Sequence, residues 1–186
     1  MIEIQDLSFS YGEKEIFRGL SLKLPKEGVT ALRGPSGLGK TTLLRLLGGL
    51  EVPRAGKILG LESRECGFLF QENRLLPWRT ALQQLTDVMA RPDRERARAL
   101  LALVELEGEE TRWPRELSGG MCRRLALARC LALESPVLLL DEPFAGVDPE
   151  RAERILGRLK ASGRCVLMVS HEERLVGMAD QVVDLG

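Results

Sequence analysis

The stretch GPSGLGKT, residues 34–41, places three glycines, a lysine and a threonine within eight positions. It follows the short apolar run TALR and precedes TTLLRLL, whose leucines recur at helical spacing. A glycine-rich loop between a strand and a helix can turn its backbone N–H groups inward to cradle phosphate oxygens. The pattern G-x-x-x-x-G-K-[ST] in this setting therefore predicts a nucleotide phosphate site within an α/β fold.

The residues of this loop have distinct expected roles. Lys40 would supply a positive charge to the β- and γ-phosphates, and the Thr41 hydroxyl would ligate Mg²⁺. The expected nucleotide contacts of the segment are Gly34, Pro35, Ser36, Gly37, Leu38, Gly39, Lys40, Thr41 and Thr42. Such a loop alone leaves a kinase, a switch GTPase and an ATPase open.

A second motif, VLLLDEP at residues 137–143, narrows these alternatives. Its apolar run has the length of a strand and ends in two acids, as a buried parallel strand does. Asp141, at the carboxyl end of that strand, can hold Mg²⁺ through water. Glu142 follows directly and is placed to polarise an attacking water as a general base. A helix-capping or surface acid is the alternative for Glu142.

A glycine pair opens the helical segment LSGGMCRRLALARCLAL, residues 117–133. Ser118 is expected to cap this helix, with Leu117 before it as a hydrophobic staple. The same position suits an anion, because the first backbone N–H groups of a helix have no internal partners. The stretch alone leaves both interpretations open.

Strands and helices alternate along the rest of the chain. Short apolar runs at the start predict antiparallel strands, and residues 80–107 predict two helices separated at Pro92. The segment 148–163 predicts a helix with Asp148 as its N-cap, Pro149 at its first position and Gly163 past its end. The sequence therefore predicts an α/β core with a helical insertion.

Composition excludes several classes of protein. The 27 Lys and Arg residues equal the 27 Asp and Glu residues, so a general affinity for nucleic acid is not indicated. The N-terminus does not resemble a signal peptide, and no apolar run approaches membrane-spanning length, so we expect a soluble, cytoplasmic protein.

The four cysteines lack C-x-x-C spacing. They are expected to be reduced and mostly buried, with Cys122 the accessible one.

The order of the motifs resembles that of the ATP-binding cassette (ABC) ATPases over essentially the whole chain. The motifs are the phosphate loop, Gln71 in GFLFQE, LSGGM, LLLDEP, GVD and VSHE. In that family two copies pack head to tail, and the LSGG signature of one copy contacts the γ-phosphate held by the other. The resemblance implies that Ser118, Gly119 and Gly120 contact ATP in a partner copy, so a cap and an anion site are compatible.

The resemblance assigns further roles by matching position. Tyr11 is similar to the aromatic residue that stacks on adenine, although a strand aromatic would have the same pattern. Gln71 resembles the glutamine that senses Mg²⁺ and the γ-phosphate, and Asp148 the acid of the loop that crosses the dimer interface. His171 resembles the histidine that contacts the γ-phosphate. The implied catalytic residues are Glu142, His171, Gln71 and Lys40, and the implied Mg²⁺ ligands are Thr41, Gln71 and Asp141.

The implied fold is a P-loop NTPase (RecA-like) core with an N-terminal antiparallel β subdomain and a short inserted helical subdomain. Residues 1–186 would form one ABC ATPase domain. Its nucleotide-binding core would comprise 1–71 and 134–186, and its helical subdomain, which includes the signature, 72–133. The segment from Gln71 to Leu117 is short for the family, so we expect a trimmed helical subdomain, and we expect no C-terminal extension after the last strand.

Met121 stands where the family usually has glutamine. A methionine at this position occurs in ABC importers resembling the nitrate, sulfonate and taurine type. Residues 70–80 also resemble that group, although a loop with a buried Trp78 is an equal alternative. The resemblance implies an ATPase that binds MgATP and works as a homodimer, or as a heterodimer with another ABC ATPase. It would drive a separate membrane permease from the inner face of the membrane, with residues 75–78 at the docking surface.

Three rival functions fit the sequence less well. A soluble ABC ATPase of DNA repair would carry a coiled-coil or zinc insertion, and the sequence has neither; a role in assembly stays open. A P-loop kinase for a small molecule would leave LSGG and His171 unexplained. A nucleotide-binding regulator without turnover would have no use for Glu142.

Overall fold

The computed structural model describes residues 1–185, which contain eight strands and six α-helices. The strands in chain order are β1 (Ile2–Tyr11), β2 (Lys14–Leu24), β3 (Val29–Arg33), β4 (Ala55–Leu59), β5 (Cys66–Leu69), β6 (Val137–Asp141), β7 (Cys165–Val169) and β8 (Gln181–Asp184). The helices are α1 (Lys40–Leu47), α2 (Ala81–Thr86), α3 (Arg94–Leu103), α4 (Gly119–Ala132), α5 (Pro149–Ala161) and α6 (Glu173–Gly177).

The strands form two sheets of different kinds. An antiparallel sheet has the order β2-β1-β4, and a parallel sheet has the order β5-β6-β7-β3-β8. The predicted fold class, an α/β core preceded by antiparallel strands, is confirmed. Strand β4 follows α1 in the chain but returns to the antiparallel sheet, where Leu59 pairs with Glu3.

The central strands of the parallel sheet are buried on both faces. In β6, Val137 and Leu139 belong to the cluster that contains α1 and the antiparallel sheet, whereas Leu138 and Leu140 belong to the cluster that contains α2 to α6. All five residues of β6 and all five of β7 are buried. Since neither face meets water, these strands are almost entirely apolar, and polar side chains are concentrated where the strands end.

Helix α5 shows how sequence pattern leads to packing. Its buried residues are Ala152, Ile155, Leu156 and Leu159, the spacing of a single apolar helix face. Asp148 caps this helix by accepting a hydrogen bond from Arg151 N at 3.0 Å. Gly163 follows the helix with a φ of 69°, as predicted for the residue that ends it.

The predicted burial of the cysteines is only partly correct. All four are free thiols, and Cys130 and Cys165 are buried, but Cys66 is partly exposed as well as Cys122. Desolvation raises the pKa of the Cys66 thiol to about 11, so it stays protonated at neutral pH.

Among the helices within residues 1–185, none is both long and apolar enough to cross a bilayer.

An ion-pair network joins the end of α3 to α5. Glu105 lies two residues past α3 at a φ of 58°, and its carboxylate accepts hydrogen bonds at 2.8 Å from both Arg151 Nε and Arg154 Nε. Arg158 is 3.5 Å from the same carboxylate. Hydrogen bonding by Arg154, followed by Arg151, lowers the pKa of Glu105 from 4.5 to about 2. The network therefore links two helices that are distant in sequence.

We predict that Glu105→Gln lowers the free energy of unfolding by about 1–2 kcal/mol at neutral pH, because the neutral amide loses charge-assisted hydrogen bonds. The pKa is lower in the folded state than in the unfolded state, so the contribution exists above about pH 4.5 and disappears as pH falls toward about 2. Urea denaturation at about pH 7 and about pH 2.5 measures the change. Exposed Glu107→Gln is the control, and an equal loss in both variants would contradict the prediction.

Candidate nucleotide site

A cavity of about 420 Å³ opens at the carboxyl edge of the parallel sheet. Segments that follow β3, β5, β6 and β7 converge there because parallel strands end at the same edge. The structure brings together at this cavity eleven residues predicted from the sequence. They are Tyr11, Ser36, Gly37, Gly39, Lys40, Thr41, Thr42, Gln71, Asp141, Glu142 and His171.

The loop between β3 and α1 needs its glycines. Gly34, Gly37 and Gly39 have φ values of 143°, 88° and 87°, a region that side chains with a Cβ rarely adopt. A Cβ on Gly39 would also lie 2.5 Å from Ile16 Cγ2 and 2.8 Å from Phe17 Cζ. The backbone therefore turns sharply under the β1–β2 hairpin before α1 begins.

The first two residues of α1 place their polar atoms at the cavity. Lys40 Nζ donates hydrogen bonds to Gly34 O at 2.6 Å and to Pro35 O at 2.9 Å. Thr41 Oγ1 donates to Asp141 Oδ1 at 3.1 Å. The Asp141 carboxyl is buried, which raises its pKa, and the Thr41 hydrogen bond opposes that rise. The ammonium of Lys40, the hydroxyl of Thr41 and the carboxyl of Asp141 therefore all line the cavity.

Glu142 leaves the strand direction through an unusual backbone conformation. Its φ is 51°, its N–H donates to Val169 O at 3.0 Å, and its side chain lines the cavity beside Asp141. Its Oε1 is 3.4 Å from His171 Nε2 and accepts no hydrogen bond from the part of the chain described. Burial raises the pKa of the Glu142 carboxyl, and the nearby His171 opposes that rise. A buried carboxylate with a raised pKa is suited to accept a proton.

Tyr11 and Gln71 both line the cavity and are exposed. The Tyr11 hydroxyl donates to Glu51 Oε1 at 3.1 Å, and the centroid of its ring lies 4.8 Å from that of the perpendicular Phe9 ring. Tyr11 is still 40% exposed, so part of its ring faces the cavity as well as the sheet. The two interpretations of this aromatic residue are compatible.

Some predicted contacts lie elsewhere. Gly34, Pro35 and Leu38 belong to the loop but do not line the cavity. Among residues 1–185, four residues predicted to meet a partner copy are also outside it. They are Ser118, Gly119, Gly120 and Asp148.

The start of α4 is pressed against the loop that precedes α5. Ser118 Oγ accepts a hydrogen bond from Met121 N at 3.3 Å, as expected of an N-cap. A Cβ on Gly120 would lie 2.6 Å from Gly146 O, so the two backbones touch. Asp148 follows two residues later, and the beginnings of α4 and α5 therefore lie side by side.

The segment after Gln71 presents apolar side chains outward. Trp78 is 64% exposed and Leu76 is 37% exposed, so the alternative of a buried Trp78 is wrong. Gln84 is buried and holds the segment from within: its Nε2 donates to Leu76 O at 2.6 Å, and its Oε1 accepts from Leu76 N at 3.2 Å. These two hydrogen bonds therefore hold the backbone of the exposed segment in place.

Sequence reasoning missed three features of this region. Lys14 and Ile16 line the cavity because the β1–β2 hairpin covers the phosphate loop, and no local pattern indicates that distant contact. Arg123 lies almost fully buried behind the cavity, at 2% exposure. A charged residue within the apolar spacing of α4 was the available signal for Arg123.

Comparison with known proteins agrees with the motifs. A family profile described as ABC transporter matches residues 17–145. The aliphatic sulfonates import ATP-binding protein SsuB 1 of Nocardia farcinica is 43% identical over 99% of this chain and 77% of its own length. The SsuB protein of Corynebacterium glutamicum is 39% identical over 97% of this chain and 78% of its own length.

Solved structures agree in fold. The dimeric post-hydrolysis state of the ATP-binding cassette MJ0796, bound to ADP and phosphate, superposes with a TM-score of 0.85 at 27% identity. The match covers 99% of this chain and 94% of that one. A second dimeric structure of the MJ0796 cassette has the same TM-score at 28% identity.

We predict that Lys40→Ala weakens ATP binding by about a hundredfold or more, because a buried, charge-assisted contact to the phosphates is lost. Titration of the purified chain with a fluorescent ATP analogue measures the affinity. Lys57→Ala removes an exposed cation from β4 and is expected to change the affinity by less than about fivefold. Unchanged affinity in Lys40→Ala would overturn the assignment of the loop.

Proposed function

This chain belongs to the ABC transporter family, and we propose that two copies of it close around MgATP and drive a permease in the membrane. The chain is an ATPase that converts ATP and water to ADP and phosphate as the ATP-hydrolysing subunit of an importer. Its relatives named for import of aliphatic sulfonates support a substrate of that chemical class. A homodimer is the simplest assembly, and a related ABC ATPase could take the place of one copy.

One observation carries the proposal of a dimer. Lys40, Thr41 and Glu142 lie together at the cavity, whereas Ser118 and Asp148 lie outside it. Free helix N-terminal N–H groups and the Ser118 hydroxyl would suit the γ-phosphate of a second copy packed head to tail. The dimeric state of the similar MJ0796 cassette supports this arrangement.

The residues present fit a magnesium ion. The Thr41 hydroxyl and the Asp141 carboxylate adjoin at 3.1 Å, and hydroxyl and carboxylate oxygens are the ligands that Mg²⁺ prefers. We assign Thr41, Asp141 and Gln71 to hold it with the β- and γ-phosphates. When bound, the ion would neutralise charge that develops on the phosphate oxygens.

The side chains suggest how water is activated. Lys40 binds the phosphates, and Glu142 Oε1 takes a proton from a water whose oxygen forms a bond to the γ-phosphorus. The bond between that phosphorus and the bridging oxygen breaks, and ADP leaves with the electron pair. His171 Nε2 is 3.4 Å from Glu142 Oε1 and can donate to the γ-phosphate. These roles, with adenine stacking on Tyr11, are part of the proposal.

We also propose the boundaries and roles of two subdomains. Residues 1–71 and 134–186 form the nucleotide-binding core, and residues 72–133 form a helical subdomain that receives the permease. The exposed apolar side chains of Leu76 and Trp78 follow Gln71 closely, so nucleotide state could be passed outward there. The subunit would then sit on the cytoplasmic face of the membrane through the permease.

We predict that Glu142→Gln retains ATP binding but loses turnover by about a hundred- to ten-thousandfold, the usual cost of losing a general base. The amide keeps the shape of the side chain but cannot accept a proton. Unhydrolysed ATP should hold two copies together, so this variant should elute as a dimer with MgATP and as a monomer without it. Phosphate release and size-exclusion chromatography measure the two effects.

Adding Ser118→Arg to Glu142→Gln tests the geometry of that dimer. A bulky side chain at Ser118 should prevent dimerisation while leaving ATP binding intact, because Ser118 lies outside its own cavity. Normal hydrolysis by Glu142→Gln would remove Glu142 from the mechanism. Tight ATP binding without a dimer at high concentration would contradict the head-to-tail assembly.

We predict that Trp78→Ala uncouples the subunit from its permease without unfolding it. Trp78 is 64% exposed and contributes little to the core, yet a large aromatic side chain often anchors an interface. ATP-dependent sulfonate uptake by vesicles containing the whole transporter should fall at least about tenfold. Val52→Ala, at an 80% exposed apolar position, is the control. Equal uptake in both variants would remove Trp78 from the docking surface.

A further inference from the structure

Arg123 is buried in α4 without an acidic side chain to pair with it. It is 2% exposed, and its guanidinium forms no ion pair within residues 1–185. It donates instead to backbone and side-chain amide oxygens of residues outside α4, some before this helix in the chain and some after it. The acceptors are the carbonyl oxygens of Phe70, Gln71, Asp141 and Glu142 and the side-chain oxygen of Asn73.

These bonds hold the backbone on both sides of Glu142. Arg123 Nε donates to Glu142 O at 2.9 Å, and Nη2 donates to Asp141 O. Those oxygens belong to the two peptide planes that meet at the Glu142 Cα, so together they fix its φ and ψ. This matters because a φ of 51° is unfavourable for glutamate and persists only where the surroundings impose it.

The same guanidinium holds Gln71 in the same way. Arg123 Nη1 donates to Phe70 O at 2.7 Å and to Gln71 O at 3.0 Å, the oxygens of the two peptide planes that meet at the Gln71 Cα. One planar guanidinium therefore sets the backbone of two cavity residues that follow different strands. Lysine could not do so, since its ammonium has no fork of fixed geometry.

We propose that Arg123 is a positioning residue for ATP hydrolysis, which aims Glu142 and Gln71 at the cavity by fixing the peptide planes that flank each of them. The inference rests on the proposed function, because it needs Glu142 to act on water. Arg123 also lies five residues after Ser118, the N-cap of α4. The helix that presents the signature to a partner copy therefore also contains the residue that positions Glu142 and Gln71.

The test compares Arg123 with its neighbour on the same helix. Arg124 is also buried, at 4% exposure, but it donates to Val104 O and Glu105 O, away from the cavity. Arg123→Gln and Arg123→Lys should lower kcat by about ten- to a hundredfold, as a small misplacement of reacting groups does. ATP affinity measured without Mg²⁺ should change by less than about threefold, since Lys40 and the loop are untouched and Gln71 is assigned to the ion.

The matched variants Arg124→Gln and Arg124→Lys should lower the melting temperature by a similar amount but leave kcat of the folded protein within about threefold. Equal loss of kcat at both positions would overturn the inference, because it would mean that any loss of helix support slows hydrolysis. The lysine variants retain the charge and most of the side-chain volume, so the comparison remains possible if the glutamine variants unfold.

A double-mutant cycle separates positioning from general support. In the Glu142→Gln background, Arg123→Gln should lower single-turnover hydrolysis by a smaller factor than in the wild-type background, because one of the two groups that it positions no longer acts. Full additivity of the two losses would overturn the inference. Normal turnover by Glu142→Gln alone would overturn the proposed function and this inference with it. Loss of turnover by Glu142→Gln with normal kcat in both Arg123 variants would overturn this inference alone.

Discussion

Burial of the central strands of the parallel sheet on both faces determines where polar chemistry can occur in this chain. β6 and β7 have no exposed residue, and their side chains alternate between two apolar clusters. An unpaired carboxylate within such a strand would be strongly unfavourable, so charged groups are found at the ends. Because the strands are parallel, their carboxyl ends form one edge, and Lys40, Asp141 and Glu142 meet there. The site is therefore a consequence of the way the core is covered.

The sequence predicted the fold class and most of the cavity because both depend on short, local patterns. The loop at residues 34–41 and the acids that end β6 each carry their chemistry within a few positions. The helix caps at Ser118 and Asp148 were equally local, and the structure contains both. The sequence could not give the orientation of Trp78, because exposure depends on how Gln84 and the rest of the helical segment pack.

Contacts between distant segments explain the remaining differences. Lys14 and Ile16 reach the cavity because one hairpin folds over the phosphate loop, and pairing of this kind leaves no periodic signal. Glu142 adopts a positive φ although nothing in LLLDEP requires one. Hydrogen bonds from Arg123, which is nineteen positions away in sequence, accompany that conformation. The backbone at the site is thus determined by a tertiary contact, and motif matching alone does not reveal it.

The close approach of Gly120 to Gly146 O, where a Cβ would lie only 2.6 Å from that oxygen, has a consequence for assembly. It sets one fixed spacing between the start of α4 and the loop that leads to Asp148. A partner surface that meets both elements has to match that single spacing and need not adapt to two independent ones. In the proposed dimer, a divergent ATPase could therefore replace one copy if it keeps glycine at position 120, where a Cβ would meet Gly146 O, and at position 146, where φ is 71°. Coevolution of paired subunits would be expected to conserve those two glycines more strictly than the polar residues around them.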